Sequence, residues 1–493
     1  MIVLFNPLST TPGKQPLPLS VMSLAAVLEK SWPWTLVDGN VCTDPAGEIV
    51  ARLARASSSD VSALAVTVMP GPQLTQAVAV CRAVRAALPQ VPIVWGGYFP
   101  TQHANTVLGS AFVDFVVRSP GERPLLQLVE TLRGGGPRDI VGGLSWKSPA
   151  GRVVHNPTGP MTPLDDLPEL PYERVEMSHY IHPTYLGQRT VAHNSSFGCP
   201  FSCSFCAVVA MTNRRWIAQS PARMERVLER LVRQYRADAV QMHDMDFFIS
   251  EARTAEFAAR IAPLGIRWWA LGRIDTLMQY SDRTWRLMVR SGLKMVFSGA
   301  ESASDAVLAT MNKGGKASAQ LAMDLARRMR SYGVVPEYSF VLGSPPDPFG
   351  DLAQTFEFIR KIKRVNPATE IVLYTYTPVP MGGTLYAEAS RLGFAFPTTL
   401  DEWASDEWRQ LMMRRGDGIP WQDGTVRRRV RDFERVLNAF YPTVTDPRLT
   451  PARRALLRAV SGWRYMLRWY TAPYELRALH RLIQYQRPET TGF

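Results

Sequence analysis

Apolar positions along the chain fall into two blocks in which strand-like runs alternate with segments of helical period. In the first block Ile2 to Phe5, Ala63 to Val68, Val91 to Trp95 and Phe112 to Val117 read as strands. Leu19 to Leu28, Leu74 to Leu88 and Pro124 to Leu132 carry apolar residues at helical spacing. This alternation predicts an α/β, Rossmann-like doubly wound parallel sheet with ligands at the carboxyl ends of its strands. Residues 136–185 are rich in proline and lose the periodicity, so they read as a linker wrapping one unit against the next.

From Thr190 the alternation restarts. Strands are expected at Thr190 to Ser196, Ala239 to His243, Arg267 to Leu271, Met295 to Gly299, Glu337 to Leu342 and Ile371 to Tyr376, with helices such as Pro221 to Tyr235, Ser318 to Tyr332 and Leu352 to Ile362 between them. Six such units suit a partial (β/α)6 TIM-like barrel, whose reactive groups belong at the strands' carboxyl ends. Trp269, Tyr374 and Tyr376 stand near such ends, where they either line a pocket or pack in the core. The last stretch turns helical. Leu456, Val460, Trp463, Leu467 and Tyr470 form an apolar stripe expected to face a core, with Arg454, Arg458, Arg464 and Arg468 off it. The resulting division is 1–135, a Rossmann-like domain; 136–185, linker; 186–400, partial barrel; and 401–493, a basic helical domain.

Composition sharpens the picture in one place. The chain of 493 residues carries a net charge of +13, and 14 arginines, no lysine and five acidic residues between Gly424 and Phe493 account for +9 of it. That concentration admits packing on the barrel, nucleic-acid binding or contact with an anionic membrane surface; no RNA-binding module accompanies the charge, so nucleic acid is disfavoured. The apolar runs Val61 to Cys81 and Thr190 to Asn213 are broken by prolines and polar residues and do not read as membrane spans. With no signal-peptide pattern at Met1, a cytoplasmic location is expected, with the inner face of the membrane as a further option.

Three of the five cysteines, Cys199, Cys203 and Cys206, lie in Gly198-Cys-Pro-Phe-Ser-Cys-Ser-Phe-Cys206, just after the first barrel strand. Cys42 and Cys81 stand alone and read as small buried hydrophobes. Three thiolates on one loop leave an iron of a four-iron cluster without a protein ligand, whereas structural zinc would need a fourth ligand such as His193 or His243. The CxxxCxxC spacing with an aromatic residue before the last cysteine resembles the signature of radical S-adenosylmethionine (SAM) enzymes. That resemblance implies that Cys199, Cys203 and Cys206 hold a [4Fe-4S] cluster, that Phe205 lies against the adenosyl group, and that a reduced cluster cleaves SAM to a 5′-deoxyadenosyl radical. An external electron donor of flavodoxin or ferredoxin type follows from it. Ser298-Gly-Ala-Glu301-Ser302 is similar to the family's glycine-glutamate segment, which would set Gly299 and Glu301 against SAM. Arg273 would pair with the methionyl carboxylate or, alternatively, with Asp275. Val341-Leu-Gly343-Ser-Pro345 and Pro378 to Thr384 are similar to later turns, placing Gly343 by the adenosyl group.

Pro18 to Leu24, Trp95-Gly-Gly-Tyr-Phe-Pro-Thr101 and Arg118-Ser-Pro-Gly-Glu122 resemble the cobalamin-binding subclass of that family, implying that Gly96, Gly97 and Gly121 let backbone approach cobalamin. The DxHxxG motif is absent and His103 is the sole histidine before the linker, so no histidine ligand to cobalt is expected. The resemblance implies a cobalamin-dependent methyltransferase acting on an unactivated carbon of a small or lipid-like molecule, or, alternatively, a ring-forming enzyme that transfers no methyl. RNA methylthiolation would require a second cysteine triplet near the N-terminus, which Cys42 and Cys81 cannot supply. A sensor without catalysis would not account for an open cluster site together with Glu301.

Overall fold

The computed structural model describes the chain except for residues 11–12, 57–60, 119, 314–317, 346, 380–383, 413–417, 423, 447–448 and 484–493. Most of the Pro378 to Thr384 turn, with its two glycines, therefore lies outside the described residues. The first sheet comprises β1 (Ile2–Asn6), β2 (Trp34–Asp38), β3 (Ala63–Thr67), β4 (Ile93–Gly96), β5 (Phe115–Val117), β6 (Leu144–Lys147) and β7 (Val153–His155). Its order is β2-β1-β3-β4-β5-β6-β7, parallel through β5 and antiparallel thereafter. The sheet changes winding direction at β1 and β3, where such folds open a crevice for a ligand.

Two features of this sheet depart from the pattern read along the chain. Strand β2 is a five-residue edge strand between Pro33 and Gly39, too short and too close to proline to give a periodic signal. The stretch read as linker contributes β6 and β7, a hairpin whose pairing to β5 depends on a distant partner that local periodicity does not encode. The rest of that stretch straps the two halves together. Arg223 donates to the carbonyls of Asp165, Leu167 and Pro168, and Tyr180 Oη donates to Asp38 Oδ2 at 2.9 Å.

The second sheet is fully parallel and sequential. It runs through β8 (Thr190–His193), β11 (Ala239–Met242), β12 (Arg267–Leu271), β13 (Leu293–Glu301), β14 (Val335–Leu342) and β15 (Glu370–Thr375), with a small separate hairpin of β9 (Ser196–Gly198) and β10 (Trp216–Ala218) inserted between β8 and β11. Amphipathic helices cover its outside; Pro221–Tyr235, for example, starts at the Ser220 cap and buries Met224, Val227, Leu228 and Leu231. Such a sheet brings its strand ends to one rim, as in a partial barrel.

The C-terminal third serves both halves. Phe394, Leu400, Trp403, Trp408 and Ile419 join the core of the first sheet, where Trp403 lies edge-on to Phe99 at 5.3 Å. The helix Gly424–Phe440 instead packs on the barrel helix Pro348–Val365, with the rings of Phe356 and Phe433 stacked at 3.8 Å. The helix Pro451–Leu467 lies against it, rotated from the expected orientation: Val460 and Tyr470 of the expected stripe pack on the core. Leu457, Ser461, Arg464 and Tyr465 face inward, while Leu456, Trp463 and Leu467 of the expected core stripe are exposed. Arg464 overrides the stripe because it is held inside by Glu475 and by the carbonyls of Trp469, Thr471 and Ala472.

Candidate functional site

The cysteine loop is carried by the β9–β10 hairpin, in which Gly198 pairs with Trp216. Gly198 has φ +87°, and a Cβ there would stand 2.1 Å from the Arg215 carbonyl, so glycine is required where the loop leaves the strand. The loop is then pinned to the segment after β13: Ser204 N–H donates to Met311 O at 2.9 Å, and Asn312 Nδ2 donates to Ser202 O at 3.1 Å. Cys203 is buried and Cys199 and Cys206 are half-buried. Burial pushes the Cys199 thiol up to about 12 and the Cys206 thiol to about 11, and raises that of Cys203 against the opposing charges of Arg273 and Lys313. Thiols in such surroundings ionise when a coordinated cation supplies the missing charge, so three cysteines on one loop suit a thiolate-bound metal centre, an iron-sulfur cluster among them. Among the described residues, no three His, Cys, Asp or Glu side chains gather around one point as ligands of a single ion would.

Beside the loop lies a compact charged cluster. Glu301 ends β13 with φ +63°, after a register shift between Gly299 and Glu301, and its carboxylate folds back over the strand. A Cβ on Gly299 would meet Glu301 Oε1 at 1.9 Å, which explains the glycine. Lys313 Nζ donates to Glu301 Oε1 at 3.0 Å and to the Gly299 carbonyl. Arg273, after β12, forks onto Asp275 at 3.0 and 2.6 Å, donates to Lys313 O, and reaches the Cys203 sulfur with Nη1 at 3.3 Å. Its guanidinium lies 3.8 Å from the centre of the Phe201 ring. A carboxylate and a carbonyl converging on one ammonium, with an arginine alongside, fit a ligand that carries an amine and a carboxylate.

Lys313 gives no signal in the sequence, because it stands twelve positions beyond Glu301 outside any periodic element. Asp244 and Asp246 were legible in principle, as acids at the carboxyl end of a barrel strand. Asp244 accepts from Ser195 N–H, Ser195 Oγ and Ser196 Oγ and so fixes the entry to the hairpin. Asp246 is buried, which pushes its carboxyl up to about 7 despite a bond from Phe248 N–H.

Between the two sheets lies a cavity of about 660 Å³, within the range of cofactor and ligand sites. Its first wall is built by Thr67, Gly96 and Gly97 at strand ends of the first sheet, with Leu19, Ser20 and Gly121 from the starts of two of its helices. The opposite wall brings His193, Asn194, His243, Asp244 and Leu271 from the barrel rim. Ala207 and Val208, which follow the last cysteine, close the side toward the loop. A Cβ on Gly96 would find nothing nearer than Val117 O at 3.6 Å, so the absent side chain leaves room for a flat ligand. Gly97 serves the turn instead, with φ +94° and a Cβ position 3.0 Å from Thr67 Oγ1.

Other residues singled out in the sequence lie elsewhere. Phe205 packs with Met311, Tyr376 and Leu385. The Gly343 carbonyl accepts from Trp421 Nε1 and Gln422 Nε2 at 3.0 and 2.8 Å. Trp269 is buried, donating to Glu337 at 3.0 Å, and Tyr374 and Tyr376 are not among the residues bordering the cavity. His103 packs against the rings of both Phe99 and Trp403, away from that wall.

Residues 7–129 match the B12 binding domain family and residues 193–359 match the radical SAM superfamily. An uncharacterized methyltransferase of Pyrococcus horikoshii is 26% identical over 351 residues, 70% of this chain and 73% of the relative. The anaerobic magnesium-protoporphyrin IX monomethyl ester cyclase of Rubrivivax gelatinosus is 26% identical over 280 residues, 55% of this chain and 49% of its own length. Among solved structures, the radical SAM methyltransferase TsrM from Kitasatospora setae, with cobalamin and a [4Fe-4S] cluster bound, superposes with a TM-score of 0.64 at 17% identity, covering 80% of this chain and 75% of that one.

Proposed function

We propose that this chain, a radical SAM enzyme whose B12-binding domain precedes its radical SAM domain, methylates an unactivated carbon of a small, predominantly apolar molecule. The observation that carries this reading is the cavity between the two sheets, glycine-walled on the B12-binding side and closed toward the cysteine loop by Ala207 and Val208. In this reading Cys199, Cys203 and Cys206 hold a [4Fe-4S] cluster. Glu301 and the Gly299 carbonyl receive the amino group of SAM, Arg273 steers its carboxylate, and Gly96, Gly97 and Gly121 border cobalamin. When bound, these groups supply the radical and the methyl group; the protein's share is placement and exclusion of water.

That share can be read residue by residue. The pinning of Ser202 and Ser204 to Met311 and Asn312 holds the cysteine loop against the Glu301 strand. Asp244 fixes the hairpin through two serines, so the loop cannot drift from the barrel rim. Apolar side chains such as Leu19, Leu24, Val66 and Leu271 keep the cavity dry, which preserves a reactive carbon species from quenching. Electrons would come from a flavodoxin- or ferredoxin-type donor, and a lipid-like substrate suits the apolar wall.

The test is anaerobic reconstitution with iron, sulfide and hydroxocobalamin, followed by incubation with SAM and dithionite. Formation of both S-adenosylhomocysteine and 5′-deoxyadenosine supports methyl transfer. Deoxyadenosine without S-adenosylhomocysteine favours the ring-forming alternative, which similarity to the cyclase keeps open. Absence of both products overturns the reading.

A further inference from the structure

The helix Pro451–Leu467 packs Leu457, Val460 and Tyr465 on the core and presents a second apolar side to solvent. Leu456, Trp463 and Leu467 recur at i, i+7 and i+11 on that side, with Ala452, Ala455, Ala459 and Met466 flanking them. Met466 and Leu467 are 68% and 69% exposed. The surface continues beyond the helix through Trp469, whose ring meets that of Trp463 edge-on at 5.8 Å, and through the exposed Tyr474. Single exposed hydrophobic residues are ordinary; a run of leucine, methionine and two tryptophans on one face marks a surface that something covers. The outward turn of Leu456, Trp463 and Leu467 has a visible cause, since Arg464 is locked inside by Glu475 and three carbonyls, and Arg454 by the carbonyls of Pro442, Thr443, Asp446 and Leu449.

We propose that this face docks on an anionic lipid surface. Charge selects the occupant. Between Leu449 and Tyr474 the chain has no acidic residue, and Arg453 and Arg458 on the helix and Arg468 just after it are exposed, Arg468 also pairing with Glu357 at 3.3 Å. A helix with leucine and tryptophan on its outer face and only arginine as charge lies in the plane of a headgroup layer, its apolar side chains among the acyl chains and its guanidinium groups on phosphate. Among the described residues no helix is long and apolar enough to cross a membrane, so the contact is peripheral.

The experiment is flotation of the full chain with vesicles of phosphatidylcholine, with and without phosphatidylglycerol, at low and raised salt. The wild type is expected to float with the phosphatidylglycerol vesicles alone, less so as salt rises. A Met466→Glu, Leu467→Glu variant, altered at exposed positions, is expected to bind about tenfold less or weaker still. Arg453→Gln with Arg458→Gln should lower the preference for anionic vesicles. As a second measurement, brominated phosphatidylcholine in the anionic vesicles should quench wild-type tryptophan emission more than that of Trp463→Phe, Trp469→Phe. Equal recovery in the unbound fraction with both vesicle types overturns the proposal. So does binding unchanged by the glutamate pair, or concentration-dependent self-association that the pair abolishes, which would make this face an interface between copies of the chain.

Discussion

Lys313 Nζ lies 3.0 Å from Glu301 Oε1, with the two side chains 8% and 7% exposed. A pair buried to this degree is expensive to break, because the remaining charge has neither water nor partner. Lys313→Met is expected to destabilise the free protein by about 3 to 5 kcal/mol, measured by urea unfolding. If an amine ligand takes the place of Lys313 on Glu301, SAM restores part of that loss in the variant, and Glu301→Gln abolishes the restoration.

Replacing any one of Cys199, Cys203 or Cys206 by Ala should remove most of the iron and sulfide from anaerobically purified protein. Cys42→Ala and Cys81→Ala should not. Cys81 is buried beneath Trp95 Nε1, 3.3 Å away, and burial raises its thiol to about 12, so it is an inert core residue. Full iron content in Cys203→Ala would overturn the ligand assignment.

Arg273 donates to the Cys203 sulfur while anchored by Asp275. A cation beside a ligand sulfur favours the reduced, more negative cluster. Arg273→Gln should therefore keep near-normal iron but lower the cluster midpoint potential, read by redox titration with electron paramagnetic resonance. An unchanged potential would assign Arg273 to anchoring Lys313 and Asp275 alone.

Neighbouring glycines should separate by readout. Gly97→Ala forces a Cβ at φ +94° to within 3.2 Å of the Val68 amide nitrogen, a strain of about 1 to 3 kcal/mol visible in unfolding curves. Gly96→Ala meets no protein atom closer than 3.6 Å, so stability should hold while cobalamin retention falls. Unaltered retention would remove Gly96 from the cobalamin wall.

Burial, against the rings of Phe99 and Trp403, lowers the His103 pKa from 6.5 to about 4. The unfolded chain takes the proton first, so stability falls as pH drops through this window and is flat above it. At about pH 5 the loss attributable to this group is about 2 kcal/mol. His103→Phe should reduce the difference in urea midpoint between neutral and mildly acidic buffer; an unchanged difference would place the acid sensitivity elsewhere.

The six barrel strands were legible because each is a short apolar run bounded by helices of clear period, and the cysteine triplet because its spacing is local. Strands β6 and β7 were not, since the hairpin joins the sheet through the pairing of β6 with Phe115 to Val117, a whole helix away along the chain. Lys313 was illegible for the same reason: it comes back to Glu301 across the short helix Asp305–Thr310, and nothing local marks that return. In Pro451–Leu467 the pattern misled in part: Val460 and Tyr470 pack on the core while Leu456, Trp463 and Leu467 face out, because the period marks which residues share a face and says little of how far that face is turned. Arg464 with its five internal acceptors decided that.

The return of Phe394 to Ile419 to the first sheet sets an order of events at the ribosome. Phe99 and His103 wait for Trp403, and Arg82 waits for Asp401, partners some three hundred residues later. The side of the first domain bearing the helices Pro72–Ala87 and Ala104–Gly109 therefore stays partly bare through most of translation, as a surface for chaperones or for aggregation. A gene fragment ending at the proline-rich stretch would express that half-dressed domain. A chimera meant to exchange it between relatives must carry two pieces of chain, not one.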